Sequence, residues 1–447
     1  MINNILFFPS HEPTQYKEIA DVVKRKSPDS SIQFFLLDKP KKNFAYDYVT
    51  YEKLVDLCDL NIDEIEKLDT SFGCNLNDLV LMDRVHKKDI DVRVAIAKYL
   101  FALREHLTQH SITHVFGYAL SDSITYGCYH LCQELGIKYY FINVARLSTF
   151  YHLSSHKDGR GEASSIQSFS NSQISDLILN MTTKKITPKY ASDPNMTPGK
   201  SISKVISSTL NLILTRAQVR NKYLDHEQPF KRALKRFINR KFSFRELLKY
   251  EMNYEAFQGK KFIFYPLHLH PETSTLIWGR WINNQYEILR ALSRVLPNDV
   301  SLLVKEHKVA AGRHSLNYYK KISQLPNTFL INHNQSAHDL ILDSVAVATI
   351  SGTAGFEAIC HQKSLLMFGD VDYKCLPNVI HCYDFSKIRE NVNSAINLKT
   401  KNIFEDENLY NFLRLKLNGS LSMEGYTATS TGKELINDMA TLYLEKL

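Results

Sequence analysis

A short polar turn near residue 350 has the residue types of an anion-binding loop. An apolar run ends there in Ser351-Gly352-Thr353-Ala354-Gly355, and an apolar segment with helical spacing follows. This order is typical of a strand, a tight turn and a helix in a parallel α/β sheet. Small residues let a ligand approach the backbone, and the free N–H groups of a helix start favour a phosphate. The alternative is that Ser351 or Thr353 only caps the helix.

Two further polar loops stand at the ends of predicted strands. The first contains His268, His270 and Glu272, and the second contains Lys305 and His307. Ligands of open α/β sheets bind at the carboxyl ends of the strands, so we expect both loops to converge with the polar turn. A cation and imidazoles beside a helix N-terminus would stabilise a phosphate leaving group without a metal.

Each loop also has a purely structural explanation. Glu272 and Glu357 fall in predicted first helical turns, where a carboxylate is favourable in any helix. His307 can simply satisfy a loop carbonyl. A metal site made of His268, His270 and His307 is a further alternative, although no carboxylate or cysteine spacing supports it.

The first half of the chain alternates between short apolar runs and longer segments with helical spacing. Strands are predicted at 5–8, 32–37, 113–116 and 138–143, and helices at 15–26, 89–110, 123–135 and 174–181. Gly136 follows the third helix in the place expected for a C-cap glycine. The alternation predicts a parallel sheet with right-handed crossovers.

The same alternation restarts after Gly259, which predicts a second domain. Strands are predicted at 261–265, 301–304, 328–331 and 365–368, with helices at 284–296, 338–342 and 432–447. The fold class is therefore α/β with two parallel-sheet domains. We place them at 1–200 and 259–447, separated by a basic helical linker at 201–258. The last helix either closes the second domain or crosses back to the first.

Length and composition indicate a soluble two-domain protein. The chain has 447 residues, of which 44% are hydrophobic and 23% charged. It contains no apolar run of roughly 18 residues and no signal peptide, so we expect a cytoplasmic location. Seven scattered cysteines do not form a disulfide framework. Cys128 and Cys132 are one helical turn apart, and we interpret them as buried thiols.

The positive charge is concentrated in one segment. Of the formal net charge of +8, residues 201–250 hold twelve Lys or Arg against three Asp or Glu. In the predicted helix 229–254, apolar residues alternate with cations at helical spacing. Such a face can bind an anionic lipid surface of the inner membrane or a lipid-linked acceptor, and it does not indicate a nucleic acid. A solvated helical face packed between the domains explains the pattern at least as well.

Several motifs between about residues 260 and 373 are similar to those of one known family. They are Tyr265-Pro266-Leu267-His268 with Pro271-Glu272, Lys305-Glu306-His307, Ser351–Ala358, Phe368-Gly369 and Tyr373. Together they resemble bacterial capsule and surface-polysaccharide glycosyltransferases, a group that includes β-Kdo transferases. The resemblance implies the GT-B architecture, in which two Rossmann-like domains face each other across a cleft. It also implies that the C-terminal domain binds a nucleotide-sugar donor.

The resemblance further implies a role for each of eight residues. They are the phosphate ligands Lys305 and His307, the phosphate cradle Ser351, Gly352 and Thr353, the ribose ligand Glu357, and the donor-pocket residues His268 and Glu272. The nucleotide sugar is then a substrate, and neither a cofactor nor a metal is implied. Lys308 stands where the family usually has a proline, which leaves the nucleotide open.

The catalytic carboxylate is expected from the N-terminal domain, across the cleft. Asp122 follows the strand 113–116 and would act as base toward the acceptor hydroxyl, or as nucleophile if configuration is retained. Helix capping is its alternative role. His11 and Glu12 after the first strand are the other candidates. His11 and Arg146 would also bind the acceptor, and Arg146 would contact an anionic acceptor or a sugar carboxylate.

We therefore expect a glycosyltransferase of surface polysaccharide synthesis, with a glycan or lipid-linked acceptor and with CMP-Kdo as the first donor to consider. Three alternatives stay open. They are a nucleotide-sugar epimerase, a polyol-phosphate transferase, and a non-catalytic partner in polysaccharide assembly.

Overall fold

The computed structural model describes most of the chain, and all structural statements refer to that part. The described residues are 3–9, 13–40, 44–60, 74–147, 150–162, 164, 168–183, 221–224, 230–282, 284–400, 402–422 and 432–447. His11, Glu12 and residues 201–220 of the predicted basic linker lie outside the described residues.

Seven strands form the N-terminal sheet. Numbered along the whole chain, they are β1 (Asn4–Phe8), β2 (Ser31–Leu36), β3 (Asp47–Thr50), β4 (His114–Gly117), β5 (Lys138–Val144), β6 (Phe150–Ser154) and β14 (Leu421–Ser422). Their spatial order is β14-β6-β5-β4-β1-β2-β3. The strands from β3 to β5 pair in parallel, while β6 and β14 are antiparallel additions at one edge. The parallel part therefore has the Rossmann order 3-2-1-4-5.

Six helices belong to the described part of this half of the chain, and the last of them packs against the C-terminal domain. They are α1 (Pro13–Lys26), α2 (Tyr51–Leu57), α3 (Leu76–Leu81), α4 (Val92–Gln109), α5 (Ser123–Glu134) and α6 (Asn171–Thr183). Side-chain caps fix where the helices from α2 to α5 start. At the beginning of α4, for example, Asp91 accepts from the amide of Val94. Gly136 after α5 has φ 69°, as expected of a C-cap glycine. Cys128 and Cys132 on α5 are buried free thiols, which confirms the interpretation from sequence.

The C-terminal sheet also has seven strands, and all of them are parallel. They are β7 (Glu251–Met252), β8 (Lys261–Pro266), β9 (Val300–Lys305), β10 (Thr328–Ile331), β11 (Ala346–Thr349), β12 (Ser364–Met367) and β13 (Val379–His381). Their spatial order is β13-β12-β11-β8-β9-β10-β7. Apart from the short β7 this is again a Rossmann order. The prediction of two Rossmann-like α/β domains is thus confirmed.

Nine helices accompany this half of the described chain. They are α7 (Phe230–Tyr250), α8 (Thr273–Leu276), α9 (Gln285–Val295), α10 (Tyr318–Ser323), α11 (Ala337–Asp343), α12 (Thr353–Cys360), α13 (Ile388–Asn397), α14 (Glu407–Leu417) and α15 (Gly432–Leu444). The helix expected at 229–254 ends at Tyr250, because Glu251 and Met252 extend into β7 and pair with β10. A two-residue strand has no periodicity that a sequence pattern can detect.

The end of the chain returns to the N-terminal domain. Leu421 of β14 pairs with Tyr151 of β6. On α15, Tyr443 is fully buried and its ring lies 4.1 Å from that of Phe116. The last helix therefore packs on the first sheet.

Loops at the carboxyl ends of the two sheets face each other. The Thr273 hydroxyl donates to the Leu120 carbonyl at 3.0 Å, and Arg84 donates to the Pro271 carbonyl at 3.1 Å. Leu276 and Ile277 after β8 pack into the N-terminal core. The part of the chain that the structure describes has no helix long and apolar enough to cross a membrane.

Candidate functional site

The candidate site lies where the strand order of the C-terminal sheet reverses. β8 and β11 are neighbours at the centre of the sheet, and the chain leaves them toward opposite edges. Loops that diverge in this way leave a crevice at the carboxyl ends of the strands. His268 follows β8, Lys305 ends β9, and the polar turn follows β11. The Leu267 amide donates to the Lys305 carbonyl at 2.9 Å, which ties the first two loops together.

His268 is a buried imidazole whose orientation is fixed. Its Nε2 accepts from the Ile350 amide at 3.2 Å and lies 2.9 Å from the Thr349 hydroxyl. Gln285 bonds both the amide and the carbonyl of His268. Burial and, to a smaller extent, the charges of His307 and Arg146 lower the pKa of His268 to about 4. The ring is therefore neutral at pH 7, and because Nε2 accepts, its proton is on Nδ1.

His307 and Lys305 provide two more donors. His307 Nδ1 accepts from the Val309 amide at 3.3 Å, so the neutral ring carries its proton on Nε2. Burial, and then the charge of Lys305, lowers the pKa of His307. Burial also lowers the pKa of Lys305 to about 8, and the nearby charge of Lys308 acts in the same direction. The Lys305 ammonium donates only to the Glu306 carbonyl, at 3.3 Å, among the described residues.

Glu306 holds the loop that carries His307. Its fully buried carboxylate accepts from the His307 amide and from the Tyr319 hydroxyl, both at 2.7 Å. The Tyr319 hydroxyl in turn accepts from the Gly312 amide at 3.2 Å. Arg240 of α7 donates to the Ala311 carbonyl at 3.3 Å. The sequence motif included Glu306, but the partners that fix the loop were not predicted, because Tyr319 is 13 residues away.

The polar turn offers backbone amides more than hydroxyls. Gly352 is the N-cap of α12 and has no side chain to cap it. No described residue accepts from the amides of Thr353 and Ala354, so the start of α12 has free donors. The Ser351 hydroxyl donates to the Ser274 carbonyl at 2.9 Å, which commits its proton elsewhere.

Gly352 lies against His268. A Cβ atom at residue 352 would stand 2.9 Å from Cε1 of His268 and 3.6 Å from its Nδ1. The protonated edge of the imidazole therefore faces the start of α12. The imidazole and the first amides of α12 therefore lie side by side, and phosphate binding by them stays a prediction.

Glu357 belongs to a second polar cluster. It is the fifth residue of α12, one turn later than predicted, and its carboxylate lies 2.9 Å from His338 Nδ1. Burial raises the pKa of Glu357, while the hydrogen bond and charge of His338 oppose this. His338, Glu357 and His361 bring ligand-type atoms within 4.8 Å of one another. Sequence reasoning missed this cluster, although the Glu-x-x-x-His spacing of α12 was a signal.

The metal site that the sequence analysis considered, made of His268, His270 and His307, is not supported by the geometry. The described residues contain no cluster that joins His268, His270 and His307 at ligand distances. His270 Nδ1 lies 2.9 Å from the Thr275 hydroxyl instead.

Glu272 lies at the cleft between the domains. It is the N-cap of α8, and its amide donates to the Thr275 hydroxyl at 3.2 Å. Part of the residue is exposed to solvent, but the protein around the carboxyl group still removes part of its hydration. This partial burial raises the pKa of Glu272, and the charges of Arg84 and Arg313 oppose that shift. Glu272 therefore borders the space between the two domains.

Asp122 is used as a helix cap. One carboxylate oxygen accepts from both the amide and the hydroxyl of Thr125 at 3.0 Å, and the other accepts from the Ser121 hydroxyl at 2.9 Å. Only 8% of the residue is exposed. The structure thus shows the capping role that the sequence left as the alternative, and a catalytic role stays a prediction.

Arg146 connects the two domains. Its guanidinium donates to the Ser351 carbonyl at 3.4 Å and to Asp372 at 3.3 Å, and stacks over the rings of Trp278 and Tyr373. Lys416 also pairs with Asp372, and all three charged side chains are almost inaccessible. We call Arg146, Asp372 and Lys416 the interdomain ion cluster. Acceptor binding by Arg146 stays a prediction, since its described contacts are with protein groups.

Residues 206–377 match the family model described as capsule polysaccharide biosynthesis protein. This confirms the resemblance identified from the motifs. No curated protein matches the chain by sequence.

Several solved structures align with the chain at low identity. KpsC of Thermosulfurimonas dismutans, a beta Kdo 2,7 transferase, is 11% identical over 99% of both chains, with a TM-score of 0.36. A beta Kdo 2,4 transferase structure of the same protein is 12% identical over 74% of this chain and 87% of that one, with a TM-score of 0.32. The UDP-GlcNAc 2-epimerase of Methanocaldococcus jannaschii is 12% identical over 92% and 99%, with a TM-score of 0.29.

Proposed function

We propose, taking the match of residues 206–377 to capsule polysaccharide biosynthesis proteins as the premise, that the protein is a glycosyltransferase of surface polysaccharide synthesis. It transfers a sugar from a nucleotide-activated donor to a glycan or lipid-linked hydroxyl. CMP-Kdo is the first donor to test. The nucleotide phosphate binds between the His268, His307 and Lys305 side chains and the first amides of α12.

One observation supports this proposal above the others. His268 and His307 each accept a hydrogen bond through one ring nitrogen, so in the neutral ring the other nitrogen carries the proton. Both imidazoles lie at the same edge of the sheet as the buried Lys305 and the uncapped start of α12. All of these groups donate hydrogen bonds or carry positive charge. Such donors stabilise the charge that grows on a departing phosphate as its bond to carbon breaks. No group in this set has to move a proton to do so.

The base that activates the acceptor is proposed among the carboxylates of the cleft. Asp122 has both oxygens engaged in its cap, while Glu272 is exposed there with a raised pKa. A raised pKa suits a group that takes up a proton at neutral pH. Glu272→Gln and Asp122→Asn distinguish the two. The base is the residue whose variant loses kcat but keeps its nucleotide affinity and its unfolding temperature.

The decisive experiment separates donor binding from transfer. CMP, UDP, GDP and dTDP are tested by calorimetry, and turnover of CMP-Kdo and UDP-sugars is followed by mass spectrometry with and without glycan acceptors. Lys305→Ala should weaken nucleotide binding by about 10- to 150-fold, the value of one charge-assisted hydrogen bond. Lys321→Ala, an exposed lysine on α10 of the same domain, is the matched control.

Three other results of these experiments would each point to a different function. Conversion of a UDP-HexNAc without an acceptor identifies an epimerase, and release of CMP from CDP-glycerol identifies a polyol-phosphate transferase. Absence of nucleotide binding at ~1 mM, where the binding free energy is only about −4 kcal/mol, identifies a non-catalytic assembly partner.

We also propose that α7 docks on an anionic lipid surface. In its described part, Ile238 and Phe242 are 44% and 54% exposed, and Lys241 and Arg245 are exposed beside them. Exposed apolar groups flanked by cations suit the headgroup region of a membrane. Vesicles of phosphatidylglycerol should sediment the protein and vesicles of phosphatidylcholine should not. Phe242→Ser should reduce this binding, and equal binding to both vesicle types would contradict it.

A further inference from the structure

The His338, Glu357 and His361 cluster has the composition of a transition-metal site. Glu357 and His361 are four residues apart, so they project from the same side of α12 and its C-cap. His338 approaches from α11, which packs against α12. The ring centroids of the two histidines are 4.8 Å apart, and their planes meet at 69°. Three potential ligands, two imidazoles and one carboxylate, are thus brought together by two adjacent helices.

One member of the cluster has an unsatisfied group. The Nε2 atom of His361 is buried and has no hydrogen-bond partner among the described residues. A buried ring nitrogen without a partner costs stability unless something binds it.

The distances are compatible with coordination. Ligand atoms of the three residues lie within 4.8 Å of one another. Zinc bonds of about 2.0–2.2 Å to nitrogen and oxygen place neighbouring ligand atoms roughly 3.3 Å apart in a tetrahedron. Modest changes of side-chain rotamer reach that geometry. The side chains of His338 and Glu357 are 13% and 25% exposed, so water can provide a fourth ligand.

We propose that His338, Glu357 and His361 bind one zinc ion, with water as the fourth ligand. Two imidazoles and one carboxylate suit zinc and similar borderline cations, whereas magnesium and calcium prefer oxygen ligands. This inference goes beyond the proposed function and does not depend on it. If Glu357 also binds the nucleotide ribose, zinc and nucleotide compete for its carboxylate, and zinc then lowers nucleotide affinity.

Binding is tested with the full-length, tag-free protein after treatment with a chelator. Zinc chloride is titrated by calorimetry, and bound zinc is counted by elemental analysis after dialysis. Cobalt(II) is used as a spectroscopic probe, because four-coordinate sites give visible d–d absorption. The variants are His338→Gln and His361→Gln, with His110→Gln, an exposed histidine of the N-terminal domain, as the control.

We expect one zinc per chain in the wild type and in His110→Gln. Each cluster variant should weaken zinc binding by more than about 100-fold, beyond the effect of losing an outer-shell partner. Circular dichroism in chelator checks that the variants are folded. The proposal is overturned if the folded wild type binds no zinc, if the cluster variants bind it as tightly as the control, or if magnesium binds equally well. Nucleotide titrations of metal-free protein report separately on the proposed function.

Discussion

Replacing Gly352 by alanine should damage the phosphate site without removing any donor group. The new Cβ would stand 2.9 Å from Cε1 of His268, a distance that real Cβ contacts do not tolerate. The imidazole cannot yield easily, because Ile350 and Thr349 hold its Nε2. The backbone at Gly352 has φ −70°, which alanine adopts without strain. The effect therefore arises from the contact with His268 and not from the backbone.

The size of the effect follows from the hydrogen bond that is lost. A bond from His268 Nδ1 to a charged phosphate contributes about 1.5–3 kcal/mol. Its loss corresponds to about 10- to 150-fold weaker nucleotide binding. Alanine is also a poor N-cap, so α12 should lose up to about 1 kcal/mol of stability. Calorimetry with the nucleotide that binds the wild type measures the first change, and thermal unfolding measures the second.

A double-mutant cycle makes this reasoning refutable. If Gly352→Ala acts only by displacing the imidazole, it should cost no further affinity in a protein that already carries His268→Ala. Wild-type affinity in Gly352→Ala would show that His268 does not contact the ligand from this position. Losses that multiply in the double variant would show that the glycine acts independently of the histidine.

Three further predictions concern the groups around the site. Lys305 has a pKa of about 8, so raising the pH from about 7 to 9 should remove its charge and weaken nucleotide binding. The Lys305→Arg variant stays charged, so its nucleotide affinity, measured by calorimetry, should depend less on pH. An unchanged affinity of the wild type between these two pH values would contradict the role of the Lys305 charge. Tyr319→Phe leaves the buried Glu306 carboxylate short of one donor and should lower the unfolding free energy in urea by about 1–3 kcal/mol; a change within error would show that the bond is dispensable. Asp372→Asn leaves two buried cations unpaired and should cost about 3–5 kcal/mol, while Asp370→Asn, in an exposed pair, should cost no more than about 1 kcal/mol. Equal losses in these two carboxylate variants would argue against the interdomain ion cluster.

The sheet strands were the part of the fold most accessible from sequence. The strand at 328–331 was predicted with the bounds that the structure has, and the others differ by one or two residues. These strands are buried on both faces and therefore appear as continuous apolar runs. Short or antiparallel edge strands such as β6 and β14 have no such run. Their position depends on contacts between distant segments, which a local pattern does not contain.

The loops of the candidate site were located from sequence for a related reason. Each polar loop directly follows an apolar strand, so its edge of the sheet could be deduced from the strand itself. The internal bonds of the site could not. Ser351 gives its proton to Ser274, Asp122 caps α5, and Arg146 contacts Asp372 from 226 residues away. These partners depend on tertiary packing, and no spacing rule predicts them.

The return of β14 and α15 to the first sheet is one of several places where the described chain connects the two halves. After β6 the chain packs α6 beside α12 and α14 of the C-terminal half, and Asn221 and Leu224 then lie on the N-terminal half before α7 begins. Each such crossing restricts relative rotation of the halves, so opening of the cleft should bend several connections at once. Truncation before Leu421 would remove one crossing and uncover the face of Phe116 that Tyr443 now covers. The N-terminal half is therefore expected to need the last residues of the chain in order to fold.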